Sequence, residues 1–470
     1  MKTIIKDLMR ETGVAFGTSG ARGLATQMTD RLCYAYTVGF LQYLESTGEL
    51  SQGCTVGIAG DLRPSTGRIM TAVAHAVHDL GYTPVNGGRV PSPAIALYGL
   101  NHAVPAIMVT GSHIPADRNG IKFNKTTGEI LKSDEPGITS QAVACPEGLF
   151  NEDGFFVNSF AWPEPDPAIE QAYVQRYTDC FPKDCLAGKK IGLYQHSAVG
   201  REVLVELFEG LGADVVPLGF SAVFVPVDTE AIRPEDVELA RAWSNEHGFD
   251  MIFSTDGDSD RPLISDENGA WLRGDVAGIL ASLYLGADSV NTPVSCNTAL
   301  EKSEKFDDIR RTRIGSPFVI ASMMEAVASG RKGVVGYEAN GGYLTHSAFT
   351  VFGKTLPALP TRDAVLPALA ILLLSMQEGK TISALASALP ARFTLSDRIQ
   401  EYPTVESQQL LAKLSDIPAL EAVFGDIAVH AVMTEAEPDG YYHKIANRNN
   451  KLHSLGNLTL LTSSLNPSVS

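Results

Sequence analysis

The sequence predicts an α/β protein: three consecutive related α/β domains with mixed, mostly parallel sheets, followed by an incomplete C-terminal α+β domain. Three observations predict this. A phrase of β-branched strand, polar turn, amphipathic helix, small-residue turn and second strand occurs three times. Strands alternating with helices of such length fold as right-handed β-α-β crossovers, which lay strands parallel. The chain has 470 residues, enough for roughly two to four domains.

The first copy runs from Thr55-Val56-Gly57-Ile58-Ala59 through a helix near 65–80 to Gly81-Tyr82-Thr83-Pro84-Val85. In that helix Ile69, Val73, Val77 and Leu80 recur at helical spacing. The second runs from Lys190-Ile191-Gly192-Leu193-Tyr194, with Val203, Leu207 and Leu211 on one helix face, to Ala213-Asp214-Val215-Val216. The third takes Thr312-Arg313-Ile314-Gly315 as strand, 317–329 as helix and Gly333-Val334-Val335-Gly336-Tyr337 as second strand. Boundaries are expected at Trp162–Pro167, after Asn268-Gly269 and near Leu389-Pro390. The domains are thus 1–160, 161–269, 270–389 and 390–470. Ligands of open α/β sheets collect beyond the carboxyl ends of strands, so chemistry is expected in the turns that follow them.

Composition narrows the function. With 37 Lys+Arg against 54 Asp+Glu, the net charge is −17. Such a surface is a poor partner for nucleic acid or an anionic membrane. An anionic ligand then needs a local basic pocket or a bound cation. The start, Met1-Lys2-Thr3-Ile4-Ile5-Lys6-Asp7, lacks the apolar stretch of a secretion signal. The longest apolar run, Ala364–Met376, is too short to span a bilayer and reads as a buried helix. Cysteines 33, 54, 145, 180, 185 and 296 form no C-x-x-C pair, which argues against zinc and disulfides and for a cytoplasmic protein.

Four segments carry chemistry. Asp256-Gly257-Asp258-Ser259-Asp260-Arg261 follows the strand-like Asp250–Thr255, and carboxylates at alternate positions of a tight turn can wrap one hard cation. A calcium helix-loop-helix is rejected, because Arg261 stands where that loop needs glycine and a strand precedes it. Thr110-Gly111-Ser112-His113-Ile114-Pro115 follows the apolar strand Pro105–Val109, placing a serine hydroxyl at a strand end as nucleophile or phosphate carrier, or as a helix cap. His113 is then a proton acceptor or a prop. Downstream, Lys122 is a general acid/base if neighbouring positive charge depresses its pKa. Phe16–Gly23 is a glycine-rich loop whose Arg22 can grip phosphate bidentately, or a plain turn. Tyr337-Glu338-Ala339-Asn340-Gly341 projects groups suited to sugar hydroxyls, or is a structural glycine turn.

Taken in order, these segments resemble the α-D-phosphohexomutase family, most closely its bacterial phosphomannomutase branch. Phe16–Gly23 is similar to the family's first loop, Thr110–Pro115 to its phosphoserine loop, Asp256–Arg261 to its magnesium loop and Tyr337–Gly341 to its sugar loop, with Asn340 where many members carry serine. The resemblance implies that Ser112 is phosphorylated and that Asp256, Asp258 and Asp260 hold Mg²⁺ with a phosphoserine oxygen. It implies that Arg22 and Lys122, with His113 beside the serine, assist proton and phosphoryl transfer. Arg261 would support the catalytic side, Glu338 and Asn340 would contact the sugar, and Arg313, Gly315 and Ser316 would form a further substrate-facing loop. The implied reaction interconverts mannose 6-phosphate and mannose 1-phosphate through a bisphosphorylated sugar, feeding GDP-mannose and surface polysaccharide synthesis. The alternatives are a phosphoglucomutase or an impaired remnant; a metal phosphatase leaves Ser112 unexplained.

The C-terminus departs from that pattern. The family's R-P-S-G-x-x-P loop, which clamps the non-transferred phosphate, is not found. Residues 391–429 read as the start of the fourth domain. Leu452–Asn466 instead resembles the tail of a nuclease-associated domain with an HNH-like core, without its catalytic histidine segment. A disrupted or fused reading frame is the expected cause.

Overall fold

The computed structural model describes residues 2–17 and 20–396, isolated positions between 405 and 422, and the backbone of three later strands. Residues 1–390 form one compact unit and 391–470 a second. The β-branched run Thr55–Gly60 becomes strand β3, after β1 (Ala15–Phe16) and β2 (Gly20–Leu24). Helix α1 (Thr66–Asp79) then crosses to β4 (Thr83–Gly88), burying Ile69, Val73 and Val77 completely. Helix α2 (Ser92–His102) leads to β5 (Ala106–Val109), β6 (Arg118–Lys125) and the two-residue β7 (Gly128–Glu129). The sheet order is β1-β2-β6-β5-β3-β4, with β7 on β6. Strands β5, β3 and β4 are mutually parallel, and the β6 side is antiparallel.

The second domain repeats this plan with β8 (Lys190–His196), α3 (Val203–Gly210), β9 (Asp214–Phe220), β10 (Met251–Thr255) and β11 (Pro262–Ile264), ordered β9-β8-β10-β11. The third has α4 (Gly274–Leu285), β12 (Ser289–Pro293), β13 (Asp308–Thr312), α5 (Ser316–Ala328), β14 (Val334–Tyr337), β15 (Tyr343–Thr345) and β16 (Leu359–Asp363), ordered β13-β12-β14-β15-β16. Each sheet sets its three parallel strands side by side in the chain order second, first, third, with an antiparallel strand beside the third. In each, the chain leaves the third strand into one of the motif turns: Thr110–Pro115, Asp256–Arg261 and Glu338–Gly342.

The third copy needs a correction. Its strand ends at Thr312, so Arg313–Gly315 is the turn into α5. It is also the second strand of its domain, and the crossover from β13 to β14 passes over the central β12. The pattern Ser289-Val290-Asn291-Thr292-Pro293 hid β12, because polar residues alternate through a strand that is nevertheless fully buried. The apolar run forms helix α6 (Val365–Glu378), buried from Val365 to Ser375. A helix apolar on every side belongs in an interior, and among the described residues no helix is long and apolar enough to cross a membrane.

In the second unit, β17 (Ile427–Ala431), β18 (Gly440–Asn447) and β19 (Leu458–Ser463) form an antiparallel sheet in that order. Most of the segment read as the start of a fourth domain, and the flanks of the nuclease-like tail, lie outside the described residues.

Candidate active site

Strand β5 is buried along its whole length and delivers Thr110-Gly111-Ser112 to the sheet edge. Ser112 has φ +56°, a left-handed conformation that costs a non-glycine residue about 1–2 kcal/mol. A buried network offsets that cost. The Ser112 amide donates to Thr110 Oγ1 (2.7 Å), and Thr110 Oγ1 donates to Asp61 Oδ2 (2.7 Å). Arg63 pairs with Asp61 (3.1 Å) and donates to the carbonyls of Ser112 (2.9 Å), Ile114 (2.6 Å), Pro115 (2.6 Å) and Arg118 (3.0 Å). A Cβ on Gly111 would lie 2.6 Å from the Arg63 guanidinium carbon, so only glycine fits. Nothing in the serine motif points to Asp61 or Arg63; the available signal is an Asp-x-Arg pair immediately after β3. Replacing Arg63 with alanine leaves the buried Asp61 carboxylate without its balancing cation and takes a donor from four carbonyls. We expect a loss of about 3–5 kcal/mol, read as a lowered denaturation midpoint.

The acidic turn meets the serine turn directly. Ser112 Oγ donates to Asp256 Oδ2 at 2.6 Å, and a Cβ on Gly257 would lie 2.8 Å from the Ser112 carbonyl. Asp256, Asp258 and Asp260 are all buried, each with a carboxylate oxygen within 4.8 Å of the others. Burial, then the charges of Asp258 and Asp260, push the Asp256 pKa well above the usual carboxylate range. Burial acts the same way on Asp258, but Lys122 and Ser92 outweigh it and hold that carboxyl low. Asp258 Oδ1 and Asp260 Oδ1 are buried without a hydrogen-bond partner. Converging acidic oxygens, two of them orphaned, are a donor set that fits a hard divalent cation.

Cations surround the trio. Lys122 Nζ bridges Asp258 (2.5 Å) and Asp260 (2.7 Å), and Ser92 Oγ donates to Asp258 Oδ2 (2.6 Å). The sequence reading looked to positive neighbours for Lys122, whereas its direct partners are carboxylates. Arg261 Nε lies 3.9 Å from Asp256 and 3.7 Å from Asp260, and its Nη1 contacts His113 Nδ1 at 2.7 Å. His113 Nδ1 is also 3.4 Å from Ser112 Oγ. The buried Arg22 is pulled down to about 10 by desolvation, then by Arg261 and Arg362. Arg362 donates to Asp260 Oδ2 (3.0 Å) and Glu338 Oε2 (3.5 Å), tying the acidic turn to the glutamate of the third turn.

Of the remaining predicted residues, Asn340 lies in this third turn, and Arg313, Gly315 and Ser316 lie at the start of α5. Asn340 Oδ1 accepts from the Gly342 amide (3.0 Å), and its carbonyl accepts from Thr229 (2.7 Å), so the side chain shapes its own turn. Gly315 has φ +123° at the start of α5. Arg313 stacks over Phe318 at 4.8 Å. Ser316 Oγ is fully buried and donates to Glu129 Oε2 at 2.9 Å.

Below the acidic turn, the fully buried His196 donates from Nε2 to the Thr255 carbonyl (2.8 Å), while its Nδ1 has no partner. Desolvation lowers its pKa from 6.5 to about 4. The folded protein therefore resists a proton that the unfolded chain accepts. Stability from this group is complete above about pH 6.5 and is lost as pH falls towards 4, by up to about 3 kcal/mol. Thermal midpoints measured across that window should fall steeply, and His196→Asn, which tolerates the residue's positive φ, should flatten the slope.

Family models match nearly all of the first unit. The α/β/α domain I of phosphoglucomutase/phosphomannomutase matches residues 13–144, domain II residues 171–269 and domain III residues 273–393. A phosphomannomutase of Salmonella muenchen is 42% identical over 94% of this chain and 89% of its own length. The chain belongs to the phosphoglucomutase/phosphomannomutase family. Another relative, a phosphomannomutase of Sinorhizobium fredii, is 43% identical over 86% of this chain and 84% of its own length. A phosphoglucomutase/phosphomannomutase family protein of Burkholderia thailandensis shares the fold at TM-score 0.67 and 19% identity, covering 98% of this chain and 94% of that one. Within this family framework, the residues that sequence reasoning missed are Asp61, Arg63, Ser92, Glu129 and Arg362. Each sits outside a motif turn; Asp61, Arg63, Ser92 and Arg362 reach one through tertiary contact, and Glu129 meets Ser316 and Thr361 of the third domain.

Proposed function

We propose that the protein interconverts mannose 6-phosphate and mannose 1-phosphate through a phosphoserine at residue 112 and a bisphosphorylated hexose. The observation that carries this reading is the Ser112 hydroxyl 2.6 Å from a carboxylate of the buried aspartate trio. In the forward half-reaction the Ser112 Oγ–P bond breaks and a bond forms to the free sugar hydroxyl, whose proton leaves. Ser112 Oγ takes up a proton. After the bisphosphate reorients, the opposite transfer returns the other phosphoryl group to the serine.

The residues divide this work. Mg²⁺ is the cation we assign to Asp256, Asp258 and Asp260, and when bound it supplies charge neutralisation to the phosphoryl oxygens. Arg22, with its lowered pKa, and Lys122 hold protons and steady the transferring group. Arg261 is oriented by His113 towards the same centre. Glu338 and Asn340 receive sugar hydroxyls, and Arg313 with Gly315 and Ser316 forms the rim of the substrate side. Residues 1–160, 161–269 and 270–389 act as the three functional domains, with 390–470 in the place of a fourth.

Turnover of mannose 1-phosphate with Mg²⁺ and a trace of hexose 1,6-bisphosphate tests the reading, with glucose 1-phosphate run alongside. Faster conversion of the mannose ester is expected, together with a peptide containing Ser112 heavier by about 80 Da. A serine that never carries phosphate would overturn it.

A further inference from the structure

Glu129 belongs to no motif and has no part in the reaction assigned above, yet it joins two domains beside the site. It lies on β7, opposite Asn124 of the strand that carries Lys122. Its carboxylate is nearly buried, at 7% exposure, and takes both of its hydrogen bonds from the third domain. Oε2 accepts from Ser316 Oγ at the start of α5 (2.9 Å), and Oε1 accepts from Thr361 Oγ1 on β16 (2.9 Å). The hairpin that bears it rests on β16, since a Cβ on Gly128 would lie 3.9 Å from Pro360.

The contact continues into the site. Arg362, next to Thr361, is itself buried and reaches Asp260 Oδ2 (3.0 Å) and Glu338 Oε2 (3.5 Å). Glu129 and Thr361 line a cavity of about 10 Å³ together with Ser92, Lys122 and Asp260. That is room for no more than one water. Glu129 therefore touches no reacting atom, but its two hydroxyl partners sit on the elements that present Arg362 and the α5 turn.

We propose that Glu129 is a positioning residue: it latches the phosphoserine domain to the sugar-recognition domain and so keeps bulk water from the phosphorylated serine. The inference rests on the mutase reading of the same site. An enzyme that passes phosphate between serine and sugar has to suppress the competing hydrolysis, in which water oxygen bonds to phosphorus, the Ser112 Oγ–P bond breaks, and inorganic phosphate and the free hydroxyl result. A latch between the two domains beside the serine opposes that leak. Its loss raises KM and shortens the life of the phosphoserine, which a fault in folding alone does not do.

The test follows Glu129→Gln in the full chain. With the fold checked by thermal midpoint, kcat/KM should fall about tenfold, mainly through KM. Intact mass followed over time should show the phosphoserine form lost about tenfold faster than in wild type. Thr361→Val, which removes the other hydroxyl on Glu129, should give a smaller change in the same two readouts, and it serves alone if Glu129→Gln does not fold. Thr361→Val combined with Glu129→Gln should be less than additive. Wild-type KM and wild-type phosphoserine lifetime in the variants would overturn the latch. A wild-type protein without phosphoserine would instead sink the mutase reading itself.

Discussion

Ser112→Ala is expected to lower turnover by at least about 10⁴-fold and to remove the phosphorylated form from the mass spectrum. The size of the effect follows from the absence of a substitute. Lys122, Arg22 and Arg261 can polarise a phosphoryl group, but none offers an oxygen that forms a stable ester and gives it back. The fold should survive the change, because Arg63 binds the Ser112 carbonyl and Thr110 binds its amide, and both contacts are to backbone. Alanine does keep the unfavourable φ of +56°. Ser112→Gly, which relieves that φ, separates the two effects: it should be at least as stable as the alanine variant and equally inactive. Turnover within tenfold of wild type in either variant would refute a phosphate-carrying serine. So would a phosphoryl group that persists on another residue.

Much of this site is legible in the sequence because each half of it is local. The three acidic residues alternate within one turn, and the serine lies three residues past a buried strand, so spacing alone announces both. That the two turns meet at 2.6 Å is a tertiary fact, and the sequence carries it only through the repeated strand order that puts each turn at the same place in its sheet. Residues that act across domains left no local trace. Arg362 is the fourth residue of a short strand reading Leu-Pro-Thr-Arg-Asp and looks like an exposed charge, yet it is 1% exposed between Asp260 and Glu338. Glu129 sits in a Gly-Glu tip that reads as an ordinary hairpin end. The central strand of the third domain went unread for a related reason. It is buried through Ser289, Asn291 and Thr292, whose polar groups are satisfied by other strands, and hydrophobic periodicity cannot register such a strand.

Asp258→Ala should be the other severe substitution, and the reason lies in how the trio is balanced. Lys122, Arg261 and Arg362 each contact at least one of the three carboxylates. Three cations against three anions leave the turn nearly neutral as it stands. A divalent cation added to it brings an excess of about +2, which a phosphoserine of about −1.5 to −2 cancels. Metal and phosphoryl group should therefore bind as a linked pair, each tightening the other. In wild type, Mg²⁺ at about a hundred times its Kd should stabilise the fold by about 2.7 kcal/mol. The gain should come at lower Mg²⁺ for the phosphorylated enzyme than for the dephosphorylated one. Removing Asp258 takes away an anchor of Lys122 and Ser92 and one of the two orphaned oxygens. The remaining two carboxylates then face three cations, so a metal ion is repelled. Turnover is expected to fall about 10³-fold or more, and the Mg²⁺-dependent rise in thermal midpoint should vanish. Chelation of wild type should reproduce the loss reversibly. An Asp258→Ala protein that still shows the wild-type midpoint shift with Mg²⁺ would place the cation somewhere other than this turn.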